Sequence, residues 1–254
     1  MKLARDTWLI FQRQMLLVWR SPVAVAFGIA QPVTYLLLFA PLLKKALPLG
    51  GSAGYAQAYR VYVPGLLVVM VIIGGLYTGF GLLAELRSGV IERARVTPVS
   101  RVALMLGRAL REVVTLLAQS LLITVLAIPF GLTVPLEELL LAYLLLVLLA
   151  LMAVSVAYGL ALQVRNEGAL GPLLNTVVQP VMLLAGVLLP LTLAPLWLRR
   201  VADWNPFYWA TNAMRALFAG HVSDRSVWLS LIIVLALTAF AMTWSVRLFA
   251  RSVQ

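Results

Sequence analysis

Cysteine is absent and histidine occurs once, at His221, which excludes thiol nucleophiles, disulfides and paired-histidine zinc sites. A serine hydrolase working inside a bilayer would need that histidine opposite a serine with a base in reach. His221 instead stands beside Asp224 in a polar stretch and reads as a solvated loop residue. Phosphate chemistry fails early as well: a Walker A loop needs Gly-Lys-Ser/Thr, and none of Lys2, Lys44 and Lys45 follows a glycine. The acidic residues, nine in all, fall in loops or at the ends of apolar runs, which disfavours a proton relay through the membrane. The pattern left over is an arginine-rich stretch, Glu85 to Glu112, that mixes six arginines with Glu85, Glu92 and Glu112. Any ATP-driven work must come from a separate subunit, and this stretch is the surface such a subunit could grip.

The elements that position the stretch are apolar. Of 254 residues, 63% are hydrophobic and 11% charged, against about 25% charged in soluble domains, so a soluble globular fold is excluded. Uncharged runs fall at Pro22 to Leu43, Val61 to Ala84, Val113 to Val134, Leu139 to Leu162, Ala169 to Leu189 and Val227 to Val246. Each approaches the roughly 20 residues that a helical span needs, which gives an all-α integral membrane protein with six transmembrane helices. The first run is too long for the h-region of a signal peptide, so the amino-terminal segment is expected to stay attached. The net charge of +11 sets topology rather than binding nucleic acid. Six spans place Lys2, Arg5, Arg13, Arg20, the arginines of 85–112, Arg165, Arg247 and Arg251 on one side, the richer one. By the positive-inside rule both termini are cytoplasmic.

Residues 1–21 form an amphipathic interface helix, with Lys2, Asp6, Arg13 and Arg20 along one face and Trp8, Phe11, Met15, Val18 and Trp19 on the other. Arg5, Trp8, Arg13 and Trp19 are its candidate anchors. In the cytoplasmic loop, Gly89 permits a sharp turn, Val90 to Val96 can make two helical turns, and Thr97-Pro98 reads as an N-cap followed by a first helical position. Past the fifth run, Pro180, Pro190 and Pro195 break the pattern and Trp197, Trp204, Phe207, Tyr208 and Trp209 crowd together. Residues 190–226 therefore read as re-entrant helices on the outer face. Gly75-x-x-x-Gly79 in the second span allows close helix approach, and Ala153, Ala157 and Ala161 in the fourth repeat the spacing. Met70, Tyr77 and Phe80 on the glycine-rich span are candidate contacts along a substrate path.

The segment Glu85-Leu-Arg-Ser-Gly-Val-Ile-Glu-Arg-Ala-Arg-Val-Thr-Pro-Val-Ser-Arg101 resembles the cytoplasmic loop of ABC-2 permeases, the membrane subunits of ABC exporters. Asn205-Pro206-Phe207-Tyr208, followed by Arg215, is similar to that family's stretch before the last span. Size and amino-terminal helix most resemble permeases of the daunorubicin-resistance and nodulation-exporter type.

The resemblance implies one transmembrane domain over 1–254. Its parts are an interface helix at 1–21, spans one and two over 22–84, a coupling loop at 85–112, spans three to five over 113–189, a re-entrant region at 190–226, and span six with the tail at 227–254. It implies that Glu85, Val90, Glu92, Arg93, Arg95, Thr97, Pro98 and Arg101 bear on an ATP-binding subunit. Trp204, Asn205, Pro206 and Tyr208 would belong to an outer gate. The chain itself is expected to bind no cofactor and no metal, to be non-catalytic, and to leave ATP and Mg to its partner. Its partners would be that subunit, a second permease copy or homologue, and membrane lipids, in a bacterial plasma membrane. Apolar spans favour an amphipathic drug or lipid-like cargo moved outward. The alternative is an ion-coupled secondary transporter or channel, which would move solute with no ATPase present.

Overall fold

The computed structural model describes residues 2–46, 54–89, 100–187, 191 and 194–252. Every regular element among them is helical: α1 Lys2–Trp19, α2 Pro22–Ala46, α3 Gly54–Leu76, α4 Thr78–Arg87 and α5 Arg101–Ala127, followed by a single 3₁₀ turn Ile128–Phe130. Then come α6 Leu136–Val164, α7 Glu167–Leu184, α8 Leu196–Ala202, α9 Pro206–Phe218 and α10 Arg225–Ser252.

Helices α3 and α6 make the centre. Almost all of α3 from Tyr59 to Ile72 is buried, and α6 buries fourteen residues spread around its axis. A helix apolar on every side is one that others surround. Around them pack α2, α4, α5, α7, α9 and α10, while α1 lies chiefly along α5. Small residues set the distances. A Cβ on Gly75 would stand 2.7 Å from Ala153 Cβ, and one on Gly79 would stand 2.8 Å from the Ala157 carbonyl oxygen and 3.4 Å from Ala161 Cβ. The two small-residue stripes expected from spacing therefore face each other across α3, α4 and α6. Between α3 and α4 the helix breaks at Tyr77, where Thr78 Oγ1 donates to the Gly75 carbonyl at 2.6 Å, a side chain entering the backbone ladder.

Four stretches among the described residues are long and apolar enough to cross a membrane: Ala56–Arg87, Val102–Phe130, Leu136–Val164 and Arg225–Phe249. They correspond to the second, third, fourth and sixth apolar runs. The first run is helix α2, Pro22–Ala46, which includes the apolar stretch Val25–Leu38. The fifth is α7, which carries Pro172 and Pro180 inside it and stops at Leu184, before a left-handed turn at Gly186 (φ +65°). The helix passes through both prolines, each of which removes a ladder hydrogen bond, and its end is marked by the left-handed turn at Gly186.

Candidate functional site

The arginine-rich stretch is rooted in two helices. Glu85 stands in the last turn of α4, and Ser88 and Gly89 follow, with Gly89 at φ +68° as its turn requires. The next helix, α5, opens at Arg101 with Ser100 as its N-cap, whose hydroxyl accepts the Ala103 N–H at 3.1 Å. That places the observed cap three residues beyond Thr97: a hydroxyl one position before the helix satisfies an N–H of the first turn directly. Val90, Glu92, Arg93, Arg95, Thr97 and Pro98, with the short helix expected over 90–96, lie outside the described residues, as does the side chain of Arg101.

The roots are tied by charge. Arg108, on α5, forms an ion pair with Glu85, and Gln14 of α1 donates to the same carboxylate at 3.3 Å. The Arg108 side chain is only 5% exposed and that of Glu85 26%, so solvent screens the pair little. One turn on, Arg111 pairs with Glu112. Arg108, Arg111 and Glu112 stand at i, i+3 and i+4, one helical face, inside an otherwise apolar segment. Residues 101–112, part of the expected coupling loop in which Thr97-Pro98 reads as a helix start, form the first turns of α5. The spacing of those three charges was the signal for a buried cluster, since charges among apolar neighbours are rarely left unpaired. A third ion pair, Arg87 to Glu167 at 3.4 Å, is surface-exposed and joins α4 to the start of α7.

The amino-terminal helix is amphipathic in an unexpected sense. Its buried residues are polar, Asp6 and Gln14, while Trp8, Leu9, Leu16, Leu17 and Trp19 are exposed. The expected polar stripe is thus split: Asp6 turns inward, whereas Lys2, Arg13 and Arg20, like Arg5, are exposed. Gly107 sets the approach, because a Cβ there would stand 2.8 Å from Ile10 Cβ and 2.9 Å from the Thr7 carbonyl oxygen.

Two adjoining clefts run along α2 and α3. One of about 180 Å³ is lined by Gly28, Gln31, Tyr35, Met70 and Gln119 among others. The other, about 420 Å³, lies between α2, α3 and α7 and is lined by Gln31, Tyr35, Tyr62, Tyr77, Gln179 and Met182 among others. Met70 and Tyr77 thus border neighbouring clefts, and the Tyr77 hydroxyl bonds Asn175 of α7. Phe80 borders neither; it stacks on Tyr77 with ring centroids 6.0 Å apart.

At the far end Asn205 caps α9, its Oδ1 accepting the Phe207 N–H at 3.0 Å while its Nδ2 donates to the Val181 carbonyl at 2.8 Å. Pro206 occupies the first helical position, where its missing N–H costs nothing. Arg215 donates to the carbonyls of Gly186 at 2.9 Å and Val187 at 3.1 Å, and to Val61 at 3.4 Å. Asn205 adds a second bond to the Val181 carbonyl, which already accepts the Ala185 N–H, and Arg215 satisfies the Gly186 and Val187 carbonyls just past the end of α7. Trp204 is 90% exposed, and Tyr208 packs edge-on against Trp209.

A single bundle of apolar helices, with a charged root on one polar connection and a capped break before the last helix, agrees with what family comparison finds. The model of the ABC-2 type transporter family matches residues 5–219, and the chain belongs to that family. It is 24% identical over 241 residues to the daunorubicin resistance ABC transporter permease protein DrrB1 of Streptomyces coeruleorubidus, covering 93% of this chain and 83% of that one. It is 26% identical to the transport permease ycf38 of Porphyra purpurea over 212 residues, 83% of this chain and 72% of the relative. The ycf38 permease of Cyanophora paradoxa matches at 24% over 217 residues, 85% and 74% of the two chains. The protein is a multi-pass membrane permease of the ABC transporter class.

Proposed function

We propose that this chain is the membrane subunit of an ABC exporter, moving an amphipathic drug or lipid-like substrate outward on ATP hydrolysed by a separate subunit that holds the nucleotide and Mg. Two permease chains work together, each with six spans, an interface helix at the amino terminus, re-entrant helices before the last span, and both termini in the cytoplasm of a bacterial plasma membrane. Glu85, Val90, Glu92, Arg93, Arg95, Thr97, Pro98 and Arg101 meet the ATPase, the cleft beside Tyr77 and Met70 belongs to the cargo route with Phe80 behind it, and Trp204, Asn205, Pro206 and Tyr208 take part in the outer gate.

The observation that carries the reading is the ionic tie between both roots of the 85–112 stretch and the amino-terminal helix. A push on the loop reaches α4 and α5 together, and α4 is seated on α6 with no slack at Gly79. Interfaces packed so closely move as rigid bodies. The cargo class rests on the mostly apolar walls of the clefts and on the daunorubicin-resistance relative.

The test is reconstitution in vesicles with the ATP-binding subunit. Wild-type chain is expected to stimulate ATP hydrolysis and to export a fluorescent anthracycline. Arg95→Glu is expected to insert normally and to lower both activities about ten-fold, a loss near 1.4 kcal/mol in the coupled step. Flux driven by a pH gradient with no ATPase present would overturn the reading in favour of a secondary transporter.

A further inference from the structure

Where α1 turns into α2, the elbow overhangs a cleft of about 540 Å³ closed from behind by α5. The size suits a small amphiphile. Its lining changes character along its length. Gln14, Glu85 and Arg111 form a polar end, and Val25, Ile29 and Ala118 continue it as an apolar trough. On α5, Ala118 stands seven residues beyond Arg111, about 10 Å further along at ~1.5 Å per residue.

The polar end has donors to spare. Arg111 gives one Nη to Glu112, while its buried Nε meets no acceptor, and behind it the buried Arg108 keeps both Nε and Nη1 without one. The Glu85 carboxylate is already engaged by Arg108 and Gln14. Buried N–H groups without acceptors are costly, and guanidinium groups bind best to oxyanions that offer several oxygens. Beside the cleft, Leu17 and Trp19 are exposed, at 52% and 78%, and Trp of this kind sits at headgroup level in a bilayer. An oxyanion joined to an apolar tail, at that level of a membrane protein, is a phospholipid.

We propose that this cleft binds a membrane phospholipid, the phosphate on Arg111 and an acyl chain along Val25, Ile29 and Ala118. The lipid wedges the α1–α2 elbow against α5. The assignment stands on the membrane family and on the cleft, and it holds whether or not an ATPase drives the chain.

The full chain, purified in detergent and stripped of lipid, is labelled with phosphatidylglycerol carrying a diazirine on its acyl chain, and the labelled residues are read by mass spectrometry. Labelling is expected at Val25, Ile29 and Ala118. Arg111→Gln should weaken it about ten-fold and Arg111→Lys only a few-fold, since Lys keeps the charge without the planar fork. Ala118→Trp, which fills the trough with Arg111 intact, should lower labelling of Val25 and Ile29 as well; melting temperatures report whether each variant is folded. Equal labelling by a diazirine diacylglycerol without phosphate overturns the headgroup assignment. Unchanged labelling in folded Arg111→Gln overturns it too, and displacement by equimolar daunorubicin would give the cleft to cargo instead.

Discussion

The seam between α3, α4 and α6 and the junction of α1, α4 and α5 both bring helices close, by opposite means. At the seam Gly75 and Gly79 meet Ala153, Ala157 and Ala161 with no side chain beyond a methyl between them. At the junction a guanidinium, a carboxylate and an amide are buried together, and the helices meet through their ends. Packing of small residues tolerates no added atom but asks nothing of its partners' chemistry. A buried ion pair, by contrast, tolerates loss of both members better than loss of one. The seam is therefore a fixed surface, and the junction is where a change in charge or position can be felt by three helices at once.

The largest effect is expected at the junction. Arg108→Met leaves the partly buried Glu85 without its charge partner and should destabilise the purified protein by about 2–3 kcal/mol, read as a drop in melting temperature in detergent. The double variant Glu85→Gln with Arg108→Met should recover most of that loss; no recovery would mean that the pair does not behave as a unit. Next comes the seam. Gly75→Ala should cost about 1–3 kcal/mol, restored by Ala153→Gly because a methyl is what blocks it. Gly79→Ala should cost a similar amount of about 1–3 kcal/mol and resist rescue by Ala157→Gly, since there the obstacle is a backbone carbonyl. Rescue in the second case would show that α4 can slide on α6. Smaller still, Asn205→Ala removes the α9 cap and the bond to Val181, for about 1–2 kcal/mol. Arg87→Ala breaks only an exposed ion pair and should shift stability by less than about 1 kcal/mol, the contrast that shows burial makes the Arg108 pair matter.

Spacing points to both small-residue stripes, because residues four apart share a helix face, but not to their meeting across the seam. It revealed the apolar helices too, since a run of some 20 uncharged residues has few other uses. The junction was hidden for a related reason. Arg108, Arg111 and Glu112 fall within the polar loop by charge alone, whereas α5 carries them in its first turns with their charges paired. Ser100 displaced Thr97 as the cap because both have the right hydroxyl, and only the path of the chain decides between them. The polar inner face of α1 could be drawn on a wheel, but not which way it faced: Gln14 turns inward because Glu85 waits there, seventy-one positions along the chain. Asn205 and Arg215 stand out as family residues, yet their bonds to Val181, Gly186 and Val187 depend on where the chain leaves α7 after Leu184.

At Gly107 the main chains of α1 and α5 pass each other with only a hydrogen atom's room to spare. A rod pinned that tightly cannot roll in place. Any displacement of α1 is passed on to α5 rather than taken up between them. Even a methyl group at position 107 would loosen the hold.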